Sequence, residues 1–199
     1  MATKIKICGL CRLEDVDFVN EVKPDYAGVV MCRRFWRGIE LEQAKAIRRR
    51  LDPNIPLVGV FVNDRFMDVL VALRQGYIDC AQLQGTESEE YIDHLKLMSG
   101  KPVIKALQMD NTSDVSYGLN SCADHIMFGT GNGQTFDWSL VKHVQRPYIL
   151  SGGLTPENIR DAMEQLHPYG VDFMNGVETD GVKDFNKIRS VIETVRSFG

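Results

Sequence analysis

Several things are scarce in this sequence, and each scarcity excludes something. No apolar run approaches the ~18 residues of a membrane-spanning helix. The opening Met1-Ala2-Thr3-Lys4 runs straight into strand-like sequence without a signal-peptide core, so a cytoplasmic location is expected. The five cysteines, at positions 8, 11, 32, 80 and 122, are odd in number and scattered. They do not form a disulfide framework and read as reduced thiols. The one C-x-x-C, Cys8-Gly-Leu-Cys11, has no second closely spaced pair to complete a zinc site, so no metal is expected. No proline- or serine-rich linker and no low-complexity tract divides the chain, which predicts one domain over residues 1–199. The net charge is only −4, with both signs interspersed, so neither nucleic acid nor a membrane surface is expected as a partner.

What is present is alternation. Hydrophobic residues make up 44% and charged residues 25% of the chain, as in ordinary globular proteins. Short apolar runs, rich in β-branched residues, occur at Lys4–Cys8, Tyr26–Met31, Leu57–Val62, Cys80–Leu83, Val103–Ala106, His125–Phe128, Tyr148–Leu150 and Val171–Met174. Such near-continuous runs are expected of strands buried on both faces. Between them lie helical patterns. Leu13, Val16, Val19 and Val22 share one helical face, as do Leu41, Ala44, Ile47 and Leu51. Further helices are predicted over Phe66–Gln75, Glu89–Met98, Thr112–Leu119, Ser139–Val144, Pro156–Leu166 and Asp184–Phe198, with Thr155 as an N-cap before Pro156. Eight strand–helix units with right-handed crossovers predict an α/β fold, a single-domain (β/α)8 TIM barrel with trimmed helices and loops.

In such a barrel the chemistry lies at the C-terminal ends of the strands. Ser151-Gly152-Gly153-Leu154 follows the seventh strand, and Asn175-Gly176-Val177-Glu178 follows the eighth. Glycines admit close backbone approach, and N–H groups near a helix start bind phosphate. Gly152, Gly153, Asn175 and Gly176 are therefore candidate phosphate ligands; the plainer alternative is that the glycines only make tight turns. Cys8 ends the first strand, where a thiolate acts as base or nucleophile if positive charge is near; a buried, inert cysteine is the alternative. Arg33, Arg34 and Arg37 form either a solvated loop or a clamp for a carboxylate or phosphate.

These residues sit in an ordered set of motifs. Lys6-Ile-Cys8-Gly9-Leu10, Val58-Gly-Val-Phe-Val-Asn63, Gln82-Leu-Gln-Gly-Thr-Glu87, Phe136-Asp-Trp138, Gly152-Gly-Leu-Thr-Pro-Glu-Asn158 and Gly176-Val-Glu-Thr-Asp-Gly-Val-Lys-Asp184 run over nearly the whole chain. In that order they resemble the phosphoribosylanthranilate isomerases of tryptophan biosynthesis. The resemblance implies a cofactor-free barrel, monomeric or homodimeric, acting on a small phosphosugar. Such enzymes convert N-(5-phosphoribosyl)anthranilate to 1-(o-carboxyphenylamino)-1-deoxyribulose 5-phosphate by an Amadori rearrangement. It further implies that Cys8 is the general base at C2 of the sugar and that Arg37 meets the anthranilate part.

The resemblance breaks at the sixth strand. The family carries a general-acid aspartate there, whereas this chain reads His125-Ile-Met-Phe-Gly129-Thr130, with a shortened loop beyond. Gln84 stands where a histidine is common, and Met174-Asn175 where paired serines are usual. Asp137 is the next carboxylate along the chain, but it also reads as a helix cap. Three functions follow: an isomerase whose acid is water, Asp137 or a displaced group; a diverged barrel for another phosphosugar; or a binder without activity.

Overall fold

The computed structural model describes residues 2–32, 34–109, 112–131 and 133–199. Eight parallel strands close into a barrel in sequence order: β1 (Lys4–Ile7), β2 (Tyr26–Val30), β3 (Leu57–Phe61), β4 (Cys80–Leu83), β5 (Val103–Gln108), β6 (His125–Gly129), β7 (Tyr148–Leu150) and β8 (Gly170–Phe173). Closure comes from β8 pairing with β1, in a register that sets Lys6 opposite Asp172. The strands form because β-branched residues suit a sheet buried on both faces; β3, for instance, is buried along its whole length.

Strand alternation sorts the apolar residues into two layers. Val58, Cys80, Ile104, Ala106, Met127 and Ile149 fill the barrel interior. Their neighbours Leu57, Ala81, Val103, Ile126, Phe128 and Leu150 face outward, into the layer beneath the helices. Ile5 and Ile7, and likewise Val171 and Phe173, belong to that outer layer. By the same alternation Lys6 and Asp172, which lie between them, point into the barrel.

Seven α-helices cover the barrel among the described residues: α1 (Leu13–Val22), α2 (Leu41–Arg50), α3 (Phe66–Arg74), α4 (Glu89–Ser99), α5 (Thr112–Asn120), α6 (Ile159–Leu166) and α7 (Phe185–Arg196). Local chemistry sets their ends. Ser88 Oγ accepts from Tyr91 N at the start of α4, and Gly100 closes that helix in the left-handed region at φ 64°. Asp184 caps α7 by accepting from Asn186 N and Lys187 N.

Two predicted helices differ from the structure. The segment Ser139–Val144 is not an α-helix; a single 3-10 turn spans Trp138–Leu140. Six residues are too few to form a helix that packing does not enforce. The connection is held instead by Arg146, which donates to the carbonyls of Gly118, Leu119, Ser121 and Ala123. The helix predicted from Pro156 begins at Ile159, with Asn158 rather than Thr155 at its N-cap. Asn158 accounts for the shift: its Oδ1 accepts from Thr155 N at 2.9 Å and its Nδ2 donates to Gly153 O at 2.8 Å, which folds the Thr155–Asn158 stretch into a turn. A small hairpin, β9 (Glu178–Thr179) with β10 (Val182–Lys183), follows β8. No helix among the described residues is long and apolar enough to cross a membrane.

Candidate active site

The C-terminal mouth of the barrel holds a cavity of about 1020 Å³, including its open rim. Its lining divides by chemistry. Val30, Phe35, Val60, Val62, Ala106 and Met127 give an apolar wall on the β2–β6 side. Gly152, Gly153, Asn175 and Gly176 give a backbone-rich wall on the β7–β8 side. Cys8 and Asp172 complete the lining as its only titratable side chains among the described residues.

Cys8 follows β1 and is 2% exposed. Burial pushes its thiol up from the usual cysteine range, and the nearby Lys6 ammonium works against that rise. The crowding here depends on Gly28 of β2. A Cβ at that position would lie 2.8 Å from Cys8 Sγ and 3.1 Å from Lys6 Nζ. Only glycine leaves room for the thiol and the ammonium side by side. Lys6 Nζ in turn donates to Asp172 Oδ1 at 2.9 Å, with both side chains buried. Burial opposes the Lys6 charge, but Asp172 and the Cys8 sulfur outweigh it and hold the lysine above its ordinary pKa. Ser151 Oγ bonds to the other carboxylate oxygen, Asp172 Oδ2, at 3.2 Å.

The loops after β7 and β8 are interlocked. Gly152 and Gly153 have φ of 89° and 61°, a region that side chains with a Cβ rarely adopt. They carry β7 into a turn that packs on Gln134 and Thr135 of the sixth loop. Gly176 is pressed against Leu154: a Cβ there would stand 1.9 Å from the Leu154 carbonyl oxygen. The glycines therefore make tight turns and, in the same turns, expose backbone to the cavity.

Arg37 is placed differently from the other predicted site residues. It is not among the residues lining the cavity; its side chain runs over Gly9, beside Met174, which does line it. The guanidinium is buried in an ion pair with Glu178 and stacks on Trp36 at 3.8 Å from the ring centroid. Its Nε is buried and makes no hydrogen bond among the described residues. Lys183 Nζ reaches the same Glu178 carboxylate at 2.5 Å and the Met174 carbonyl at 2.9 Å. Burial and the Arg37 charge push Lys183 down to about 7, while Cys8, Asp15 and Asp172 pull the other way. Arg33 lies outside the described residues.

Asp137 is excluded as a cavity acid. Its Oδ1 accepts from Ser139 N at 2.9 Å, which lowers its pKa, and it does not line the cavity. The motifs around Asn63 and Glu87 are structural. Glu87 accepts from Asn63 N, Gly85 N and Lys105 Nζ, tying the third and fourth loops to β5.

Sequence reasoning missed Asp172 and Lys6 as site residues. The signal was present: each is a charged residue inside a strand that is otherwise apolar, and a charge buried there requires a partner. Nothing in the sequence said that the two partner each other across the closing seam of the barrel. No group of three or more His, Cys, Asp or Glu among the described residues is arranged to hold a metal ion.

Comparison with known proteins adds four results. Residues 5–194 match the family model described as N-(5'-phosphoribosyl)anthranilate (PRA) isomerase. The N-(5'-phosphoribosyl)anthranilate isomerase of Endomicrobium trichonymphae is 45% identical over 201 residues, covering 98% of each chain. Among solved structures, monomers generated from the dimeric phosphoribosylanthranilate isomerase of Thermotoga maritima superpose with a TM-score of 0.88 at 34% identity, covering 98% of this chain and 99% of that one. A phosphoribosylanthranilate isomerase in complex with reduced 1-(o-carboxyphenylamino)-1-deoxyribulose 5-phosphate superposes with a TM-score of 0.87 at 34% identity, with the same coverage.

Proposed function

Because the chain belongs to the N-(5'-phosphoribosyl)anthranilate isomerase family, we propose that Cys8 is the base of its reaction and that the β7 and β8 loops hold the phosphate of its substrate. The chain is an isomerase of tryptophan biosynthesis. It converts N-(5-phosphoribosyl)anthranilate to 1-(o-carboxyphenylamino)-1-deoxyribulose 5-phosphate, and nothing favours a barrel diverged toward another phosphosugar.

One observation carries the site assignment: Cys8 and both glycine loops open into the same cavity. The phosphate sits on backbone N–H groups of Gly152, Gly153 and Gly176, with the Asn175 amide beside them. That anchor extends the ribose toward Cys8. The aromatic ring lies on the apolar wall formed by Val30, Phe35, Val60 and Val62, and Arg37, held beside Met174 at the edge of the cavity, is the cation assigned to the anthranilate carboxylate. All these groups come from one chain, so the site is complete in a monomer and in a homodimer alike. Residues 1–199 act as one barrel domain in the cytoplasm, without nucleic acid or membrane.

The chemistry begins when the ring oxygen of the aminal takes a proton and the C1–O bond opens to an iminium. The Cys8 thiolate then removes the C2 proton, which the positive nitrogen acidifies, and the enolamine collapses to the ketone. The test is turnover of freshly prepared N-(5-phosphoribosyl)anthranilate, followed by loss of anthranilate fluorescence. Cys8→Ser should lower kcat about 10²–10⁴-fold while KM changes little, because the base acts in the transition state. Unchanged turnover in Cys8→Ser would remove Cys8 from the mechanism.

A further inference from the structure

The reaction needs a proton donor as well as a base, and the end of β6 supplies none. Gly129 lines the cavity there without a side chain. A Cβ on it would press within 3.1–3.2 Å of Ser151, tighter than an ordinary contact. Asp137 caps a 3-10 turn away from the cavity. Among the described residues one carboxyl group lines the cavity: Asp172 of β8, the strand that pairs with β1.

We propose that Asp172 is the general acid of this enzyme, sharing a single proton with Cys8 under the control of Lys6. The assignment rests on the isomerase function and on Cys8 as base. Its geometric support is the Cys8–Lys6–Asp172 cluster. Lys6 Nζ donates to Asp172 Oδ1 at 2.9 Å and lies beside Cys8 Sγ above Gly28. A buried ammonium in contact with two acids balances one negative charge, so it favours the state in which one of the two carries the proton and the other does not. Lys6 Nζ and Ser151 Oγ both donate to Asp172, so at rest the shared proton lies on Cys8; its transfer to Asp172 leaves a Cys8 thiolate and readies the pair.

Acid and base need not stand on opposite walls, because the ring oxygen and C2 are both bonded to C1. Asp172 gives its proton to the ring oxygen as the C1–O bond breaks, and the electron pair stays on that oxygen. The nitrogen lone pair forms the C1=N bond. The Cys8 thiolate takes the C2 proton, and the C2–H electrons form the C1=C2 double bond while the C1=N pair returns to nitrogen. In the final tautomerisation the Cys8 thiol returns a proton to C1 and the C2 hydroxyl proton passes to Asp172. The sulfur is again a thiolate and the carboxyl again protonated, so the cycle closes without any outside acid. Ser151, through its bond to Asp172 Oδ2, is a positioning residue, as is Lys6.

Besides Lys6 and Asp172, the charged groups near Cys8 are Lys183 of β10 and Arg37, which are both paired with Glu178. Neither Lys183 nor Arg37 lines the cavity. This predicts a distinctive pH profile. If the pair must hold one proton, kcat/KM of the wild-type enzyme is flat through neutrality and falls where Cys8 titrates, as located by the pH dependence of its alkylation by iodoacetamide. A lone Cys8 base assisted by solvent would instead make kcat/KM rise through that same pH.

Asp172→Asn should lower kcat about 10²–10⁴-fold. Its Cys8 should react with iodoacetamide at pH 7 at least as fast as in the wild type, since Lys6 then has only the thiolate to balance. That combination separates loss of the acid from loss of the base. An Asp172→Asn enzyme with more than a tenth of wild-type kcat would overturn the assignment while leaving Cys8 in place. A wild-type kcat/KM that rises through the Cys8 titration would overturn it equally, and that measurement requires no variant to fold. A wild-type protein without turnover would overturn this assignment and the isomerase function together.

Discussion

Gly176→Ala is the sharpest probe of the proposal that the seventh and eighth loops build a phosphate site. The backbone at Gly176 is not in the left-handed region, so the substitution adds no φ strain and acts only through contact. The new Cβ would fall 1.9 Å from Leu154 O, 2.8 Å from Leu154 C and 3.0 Å from Thr155 Cγ2. An ordinary contact begins near 3.4 Å, so the two loops must part by roughly 1.5 Å. Leu154 is buried, and its backbone cannot retreat without disturbing the core beneath α6 and α7. Overpacking of this kind costs about 1–3 kcal/mol, which for a chain of this size lowers Tm by about 2–4 °C per kcal/mol. Parting the loops by that distance takes at least one backbone donor out of reach of the phosphate. A lost hydrogen bond to a charged group is worth about 1.5–3 kcal/mol, or roughly 10- to 150-fold in binding. The expected outcome is a KM raised by that factor, a similar loss of competitive inhibition by inorganic phosphate, and a kcat changed far less. Steady-state fluorescence kinetics and a thermal melt read all three. Gly100→Ala is the control: it is strained at φ 64°, with nothing within 4 Å of its Cβ, at the opposite end of the barrel. It should lose about 1 kcal/mol of stability and no activity. A Gly176→Ala enzyme with wild-type KM and wild-type phosphate inhibition would refute the argument that these loops hold the phosphate.

Other expectations follow from the same geometry. Glu178→Gln removes the carboxylate shared by Arg37 and Lys183, and breaking a buried pair from one side costs about 3–5 kcal/mol. A urea unfolding midpoint that moves by less than a fifth of that equivalent would contradict the pairing. Cys8→Ser and Asp172→Asn should both abolish most turnover, yet only the second keeps the Cys8 thiol, which alkylation at pH 7 read at position 8 by peptide mass mapping distinguishes from the exposed Cys122. Phosphate at millimolar concentration should slow that alkylation in the wild type, because the proposed phosphate loops line the same cavity as Cys8; equal rates with and without phosphate would separate the Cys8 pocket from a phosphate site.

Much of this protein is determined by one-dimensional pattern. Strand-length apolar runs alternating with amphipathic stretches dictate the parallel barrel, because a strand covered on both faces has to be apolar and a crossover helix has to be apolar on one face. Barrel topology then places Cys8, Gly152, Gly153, Asn175 and Gly176 at the C-terminal mouth without further information. Local propensity misjudged the Ser139–Val144 connection, where side-chain tethers from Arg146 replace a helix. It also misjudged the start of α6, where Asn158 folds its own N-terminal turn.

What only the tertiary structure decided is the electrostatics of the site. Lys6 and Asp172 are 166 positions apart, and their contact exists because β8 closes on β1 in one register. A slip of one residue would turn both charges outward into the helix layer. Arg37, read as a possible surface residue, is buried because Glu178 and Trp36 receive it. Asp137, adjacent to the site in sequence, is excluded from the cavity by the turn that it caps. Apolar periodicity survives projection onto a line, since each residue's burial depends on its own element. Charge pairing does not, since it depends on which distant element folding brings within 3 Å, and in this barrel the seam between first and last strands decides it.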